Sequence, residues 1–185
     1  MDVPARIRTP RSSWVDAGLS ALSVGGPDAI RIEALAQTLG VTKGGFYWHF
    51  ADRQALLDEM LDTWERVVSD DVITLVEAHG GDARGKLRHL FSIAEAINEM
   101  TAIELAIREW ARRDPTVDTR LRRLDNRRMA FMTSLFTELG ADRRDAEARS
   151  YLAFSLFIGN HYVHAAGSGR SRRRFIEQSV QHLLA

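Results

Sequence analysis

At 185 residues, 45% of them apolar, the chain is long enough for one or two small domains with a real core, and disorder does not dominate. Formal net charge is zero, which argues against a protein that coats nucleic acid over its whole surface but leaves room for a local reading face. There is no cysteine, so disulfides and thiolate metal sites are excluded.

From the first residue, Met1 to Pro10 is polar and shows no signal peptide, and no stretch approaches the roughly 20 apolar residues of a membrane span. The expectation is a soluble cytoplasmic protein without membrane partners. Alternating runs of Val, Ile and Thr are absent, so the spacing predicts an all-α fold of about nine helices. Thr9-Pro10 reads as an N-cap with proline at the first helical position, followed by Trp14, Ala17, Ala21 and Val24 at helical spacing. Gly25-Gly26-Pro27 ends that helix. The second carries Ile32, Leu35, Ala36 and Leu39 on one face and stops at Gly40, and Thr42 suits the N-cap of a very short third helix.

Asp52 caps a long fourth helix with a broad apolar stripe from Leu56 to Val76, closed by Gly80-Gly81. Residues 52–79 hold eight acids against Arg53 and Arg66, whereas arginines cluster between Arg112 and Arg128; the latter read as a solvated helix face. Next come a helix from about Arg84 to Met100, a shorter one through Ile103 and Trp110, and a restart at Asp114-Pro115 that continues to Gly140. Asp142 begins a helix running to Ala166, and Ser171 caps a last one with Phe175, Ile176, Val180, Leu183 and Leu184. Residues 1–50 form a three-helix unit, and residues 51–185 a larger helical body.

The segment from Arg31 to Phe50 carries the chemistry. Two short helices joined at Gly40 make the helix-turn-helix that sets its second member in the major groove of duplex DNA. In that member Gly44 and Gly45 each weaken the helix by about 1 kcal/mol relative to alanine, yet they remove bulk and let the backbone approach a ligand closely. Thr42 and Lys43 stand at the helix start, Tyr47 and His49 can donate to phosphates, and Trp48 suits either packing or DNA. Phe46 and Phe50 fit the unit's hydrophobic anchor.

This tract resembles the tetracycline-repressor (TetR) family. The matching residues are Ala34-Leu35-Ala36, Leu39 through Phe50 and Asp52-Arg53-Gln54-Ala55-Leu56-Leu57, with a weaker similarity from Arg113-Asp114-Pro115 to Leu139-Gly140. The resemblance implies nine helices, a homodimer formed through the last two, and a small-molecule cavity in the C-terminal body whose occupation changes the separation of the two DNA-reading units. By it Thr42, Lys43, Tyr47 and His49 match positions that touch DNA, with Arg31 and Arg53 as further candidates. Glu33 departs from it, because an acid stands where many members place a basic or polar DNA contact. Residues 1–50 hold five Lys or Arg against four acids, a weak basic patch that predicts modest non-specific affinity.

In the body, Trp64, Phe91, Met100, Trp110, Met129, Phe154 and His161 are candidate lining for the ligand cavity. The helix from Asp142 is apolar on two sides, so one side must pack inward and the other against a second subunit; Phe157, Tyr162, Phe175, Val180 and Leu183 are the candidate interface. His161 and His164 lie three apart without a third ligand nearby, so neither metal nor cofactor is expected. The reading is a ligand-responsive DNA-binding regulator, a repressor of a near-palindromic operator. Its rivals are a helical enzyme, for which no Ser-His-Asp set or phosphate loop is legible, and a protein-interaction module.

Overall fold

A computed structural model describes residues 9–96, 98–163 and 172–184, and every regular element among them is helical. In chain order these are α1 (Arg11–Gly25), α2 (Ile32–Thr38), α3 (Lys43–Phe46), α4 (Arg53–Glu65), α5 (Val72–His79), α6 (Ala83–Ala96), α7 (Asn98–Ala111), α8 (Pro115–Glu138), α9 (Arg143–Gly159) and α10 (Arg172–Leu184). A 3-10 turn at Pro27–Ala29 precedes α2. Between α4 and α5 the chain runs through a π-helical segment, Arg66–Asp71, without a turn. Counting 53–79 as one rod gives nine helices among the described residues, as the apolar spacing predicts.

Three carboxylates start helices as anticipated. Asp52 accepts from the amide of Ala55 at 2.8 Å, Asp142 from that of Asp145 at 2.9 Å, and Asp114 from that of Thr116 at 2.9 Å, each satisfying an amide that the first helical turn leaves without a partner. The entry to α1 differs. Pro10 occupies the N-cap position and no side chain caps the helix, so proline lies one residue earlier than the Thr9-Pro10 pattern suggests. The α6–α7 break falls before Met100, which belongs to the second helix of the pair. Neither glycine nor proline marks it, and tertiary packing sets such a boundary. The ninth helix ends at Gly159, short of Ala166. Ile97, residues 164–170 and the Ser171 cap lie outside the described residues.

The helices gather into two compact units, 1–68 with 98–122 and 69–97 with 123–185. In the first unit α4 and α7 both pack with α1. There Trp14, Leu22, Ile30, Phe46, Leu56, Met60, Trp64 and Ile107 are sealed from solvent. At roughly 1.5–3 kcal/mol for each large apolar side chain buried, these residues hold the three N-terminal helices in place. Gly18 on α1 makes the α4 approach possible, since a Cβ there would sit 2.5 Å from Sδ of buried Met60. Arg120 of α8 bonds Asp62 and Glu65 of α4, the latter at 2.5 Å.

The second unit has its own core of Val76, Leu87, Met132, Leu135, Phe136, Ala146, Ala153, Val180 and Leu184. The arginine cluster of α8 is largely matched by acids. Arg122 meets Asp118 at 2.6 Å and Arg127 meets Asp70 at 2.6 Å, both arginines being exposed, whereas Arg128, 3.6 Å from Asp125, is largely buried and lies over the Phe154 ring.

Candidate nucleic-acid interface

The turn between α2 and α3 is built by one glycine. Gly40 has φ +66, a left-handed conformation that favours glycine. It lets the amide of Val41 reach back to the carbonyl of Ala36 at 2.9 Å and that of Gly40 to Gln37 at 3.1 Å, the paired closing bonds of a Schellman motif. Three residues later α3 begins, with Phe46 its one buried residue. The Phe46 ring is fully buried, edge-on to Trp14 at 5.3 Å and stacked on Phe50 at 5.2 Å. A four-residue helix has no stability of its own, so this aromatic contact fixes where it lies.

With Phe46 turned inward, the neighbouring side chains face out. Tyr47 is 53% exposed and Trp48 73% exposed, large values for aromatics. Thr42 occupies the N-cap position in an extended conformation, but its hydroxyl does not cap the helix and stays on the exposed surface. Arg31 is exposed at the N-cap position of α2. Neither glycine is explained by packing within the chain. A Cβ at Gly44 would meet only Oγ1 of Thr42, at 3.7 Å, and one at Gly45 would touch Trp14 and Val41 at ordinary distances of 3.9 and 4.0 Å.

Three basic side chains of the region serve the fold. Arg53, a candidate phosphate contact, instead donates Nε to the carbonyl of Ile30 at 2.7 Å and a terminal nitrogen to that of Pro27 at 2.5 Å, tying α4 to the loop that leads into α2. His49, likewise expected on DNA, is half-buried with Nε2 2.9 Å from the carbonyl of Thr9. Arg11 donates Nε to Glu59 of α4 at 2.7 Å, bonds the carbonyl of His49, and lies over the Phe50 ring at 4.2 Å. The structural duty of Arg11 has no signature in the sequence, since its partners are 38 and 48 residues away.

Lys43 is exposed, and its Nζ lies 2.5 Å from Oε1 of Glu33 on α2. The hydrogen bond from Lys43, aided by Glu33's own backbone and by the lysine charge, holds the Glu33 carboxyl below the ordinary glutamate range. The same bond, then the carboxylate charge and Tyr47, raise Lys43 above the ordinary lysine value.

The candidate cavity residues divide between the units. Trp64, Met100 and Trp110 belong to the first, with both tryptophans buried, while Phe91, Met129, Phe154 and His161 belong to the second and are half-buried. Phe91, Met129 and Phe154 pack on the second unit's core. An open groove of about 710 Å³ in that unit shares only Met129 with this set and is otherwise lined by α8 and α9 residues such as Thr133, Thr137 and Arg143. Of the candidate interface residues, Tyr162 and Phe175 are exposed and Phe157 is half-buried. Val180 belongs to the second unit's core and Leu183 packs against it. No group of three or more potential metal ligands occurs among the described residues, and no described helix is long and apolar enough to cross a membrane.

The family model for bacterial regulatory proteins of the tetR family matches residues 15–60, from α1 to α4. Over these residues the chain is similar to that family's N-terminal region. The class D tetracycline repressor of Escherichia coli is 40% identical over 53 residues, which amount to 29% of this chain and 24% of that repressor. Beyond residues 15–60 the likeness is one of fold. A TetR transcriptional regulator from Legionella pneumophila superposes with a TM-score of 0.73 at 10% identity, covering 97% of each chain. A transcriptional regulator from Rhodococcus sp. Rha1 gives 0.69 at 17% identity, covering 95% of this chain and 92% of that one.

Proposed function

We propose that this protein is a transcriptional regulator that binds a near-palindromic operator as a homodimer, represses from it, and is released by a small molecule. One observation carries the reading. α3 turns Phe46 inward and offers Thr42, Lys43, Tyr47 and Trp48 on one exposed surface, beside two glycines that internal packing does not require. Hydroxyl, ammonium and phenol groups on such a surface suit phosphate oxygens, and the bare backbone at Gly44 permits close approach to a duplex. Arg31 extends the surface at the start of α2. Arg53 and His49 support it from behind, as positioning residues for the turn and for the end of α3.

The exposed apolar side chains Tyr151 and Leu152 of α9, Tyr162 just beyond it and Phe175 of α10 supply the surface for a second copy. A two-fold dimer presents two α3 helices to successive major grooves about 34–36 Å apart. The inducer binds in the C-terminal body, and its binding releases the operator.

Selection of bound sequences from random duplex DNA tests the proposal. The expected product is an enriched motif with two inverted half-sites, lost when the inducing compound is added. Recovery of unenriched DNA would contradict it.

A further inference from the structure

Glu33 and Lys43 stand on different helices of the reading unit, ten residues apart, and meet at 2.5 Å. The pair is on the surface, with 50% of the lysine side chain and 67% of the glutamate side chain exposed. Neither group packs against the core, so the fold does not need the contact. An exposed pair of flexible chains contributes little to stability and opens readily. The lysine nonetheless belongs to the surface formed by Thr42, Tyr47 and Trp48, and its charge is already answered by a carboxylate.

We propose that Glu33 is a built-in competitor for the phosphate that Lys43 takes up, so that a duplex must displace the carboxylate before this lysine can contribute to binding. The inference rests on the DNA-binding reading of α3. Other basic groups of the unit sharpen it, because Arg11 is held by Glu59 and Arg53 by two backbone carbonyls. Lys43 and Arg31 are thus the cations of the α2–α3 surface that can turn to a phosphate, and Glu33 bears on both. It bonds the first and lies in the field of the second. A carboxylate in that place takes one protein–phosphate contact out of the free energy of loose, sequence-independent binding, which is almost wholly electrostatic. Binding then depends more on contacts that only a matching site supplies.

The test uses the full-length protein and a mixed-sequence duplex of about 30 base pairs, with affinity read by fluorescence anisotropy across a salt series. Four proteins are compared: wild type, Glu33→Gln, Lys43→Gln and the double variant. Glu33→Gln is expected to bind about fivefold more tightly at low salt, the size of one exposed ion pair. Its plot of log affinity against log salt should steepen by about one for each protomer on the duplex. Lys43→Gln should cost more affinity in the Glu33→Gln background than in wild type. Thermal unfolding of Glu33→Gln should match wild type. Weaker binding by Glu33→Gln would overturn the proposal and make Glu33 a positioning residue that holds Lys43 in place. Unchanged affinity and slope, with Lys43→Gln still impaired, would overturn it as well. If none of the four binds the duplex in a salt-dependent way, the DNA-binding reading itself fails, and the inference with it.

Discussion

Arg53 shows how residue type and residue role can separate. An arginine beside a helix cap in a DNA-binding unit invites a phosphate contact, yet two of its nitrogens donate to the carbonyls of Ile30 and Pro27. Planar, two-pronged donation of this kind suits a guanidinium and not a lysine. Arg53→Ala is therefore expected to lower stability by about 1–3 kcal/mol, the range for hydrogen bonds from a charged donor. The salt dependence of DNA binding should remain as in wild type, and chemical denaturation alongside a salt series checks both. A flattened salt slope with unchanged stability would return Arg53 to the phosphate surface. Legible in the sequence here are the TetR-like tract and an outward Tyr47, whereas for Trp48 the sequence allows packing or DNA and only the structure shows it exposed. What was not legible was long-range pairing. Glu33 with Lys43, Arg11 with Glu59 and His49 with Thr9 each join segments whose approach depends on how helices cross, and linear spacing carries no signal of that.

At the scale of the element, α3 is the least self-sufficient helix of the molecule. It has four residues, two of them glycine, and its only buried side chain is Phe46. Gly44 has room for a methyl group, with nothing nearer than the Thr42 hydroxyl at 3.7 Å. Gly44→Ala is thus expected to leave the fold intact and to raise stability by up to about 1 kcal/mol, through helix propensity. DNA affinity should fall, because the added methyl would stand between backbone and duplex. Thermal unfolding and anisotropy together decide it, and a more stable variant with full affinity would show that close backbone approach is not required. Helix starts were the most legible features of the remaining elements. The Asp52, Asp114 and Asp142 caps are chemical signals one to three residues long, and all three form. The α6–α7 break and the end of α9 were not, because no proline or cap marks the first and the apolar run beyond Gly159 outlasts the helix. The π-helical segment has no signature in the sequence, since the apolar stripe from Leu56 to Val76 continues through it.

Across the whole molecule, the all-helical class followed from periodicity, whereas the division into packed units did not. Helices α4 and α7 contribute buried residues to the first unit, among them Met60, Trp64 and Ile107. On α9 the large apolar side chains of Tyr151 and Leu152 are exposed. Periodicity could not distinguish the two sides of α10, where Val180 and Leu183 turn inward and Phe175 outward. The central claim concerns the surface at the opposite end of the sequence, and Tyr47→Ala probes it with least disturbance because that ring is already half in solvent. The decisive measurement is the affinity of Tyr47→Ala for duplex DNA, with sedimentation of the same sample. The account predicts a loss of roughly tenfold or more, as a backbone contact is removed from each half-site, with sedimentation unchanged from wild type. Wild-type affinity in Tyr47→Ala would contradict it.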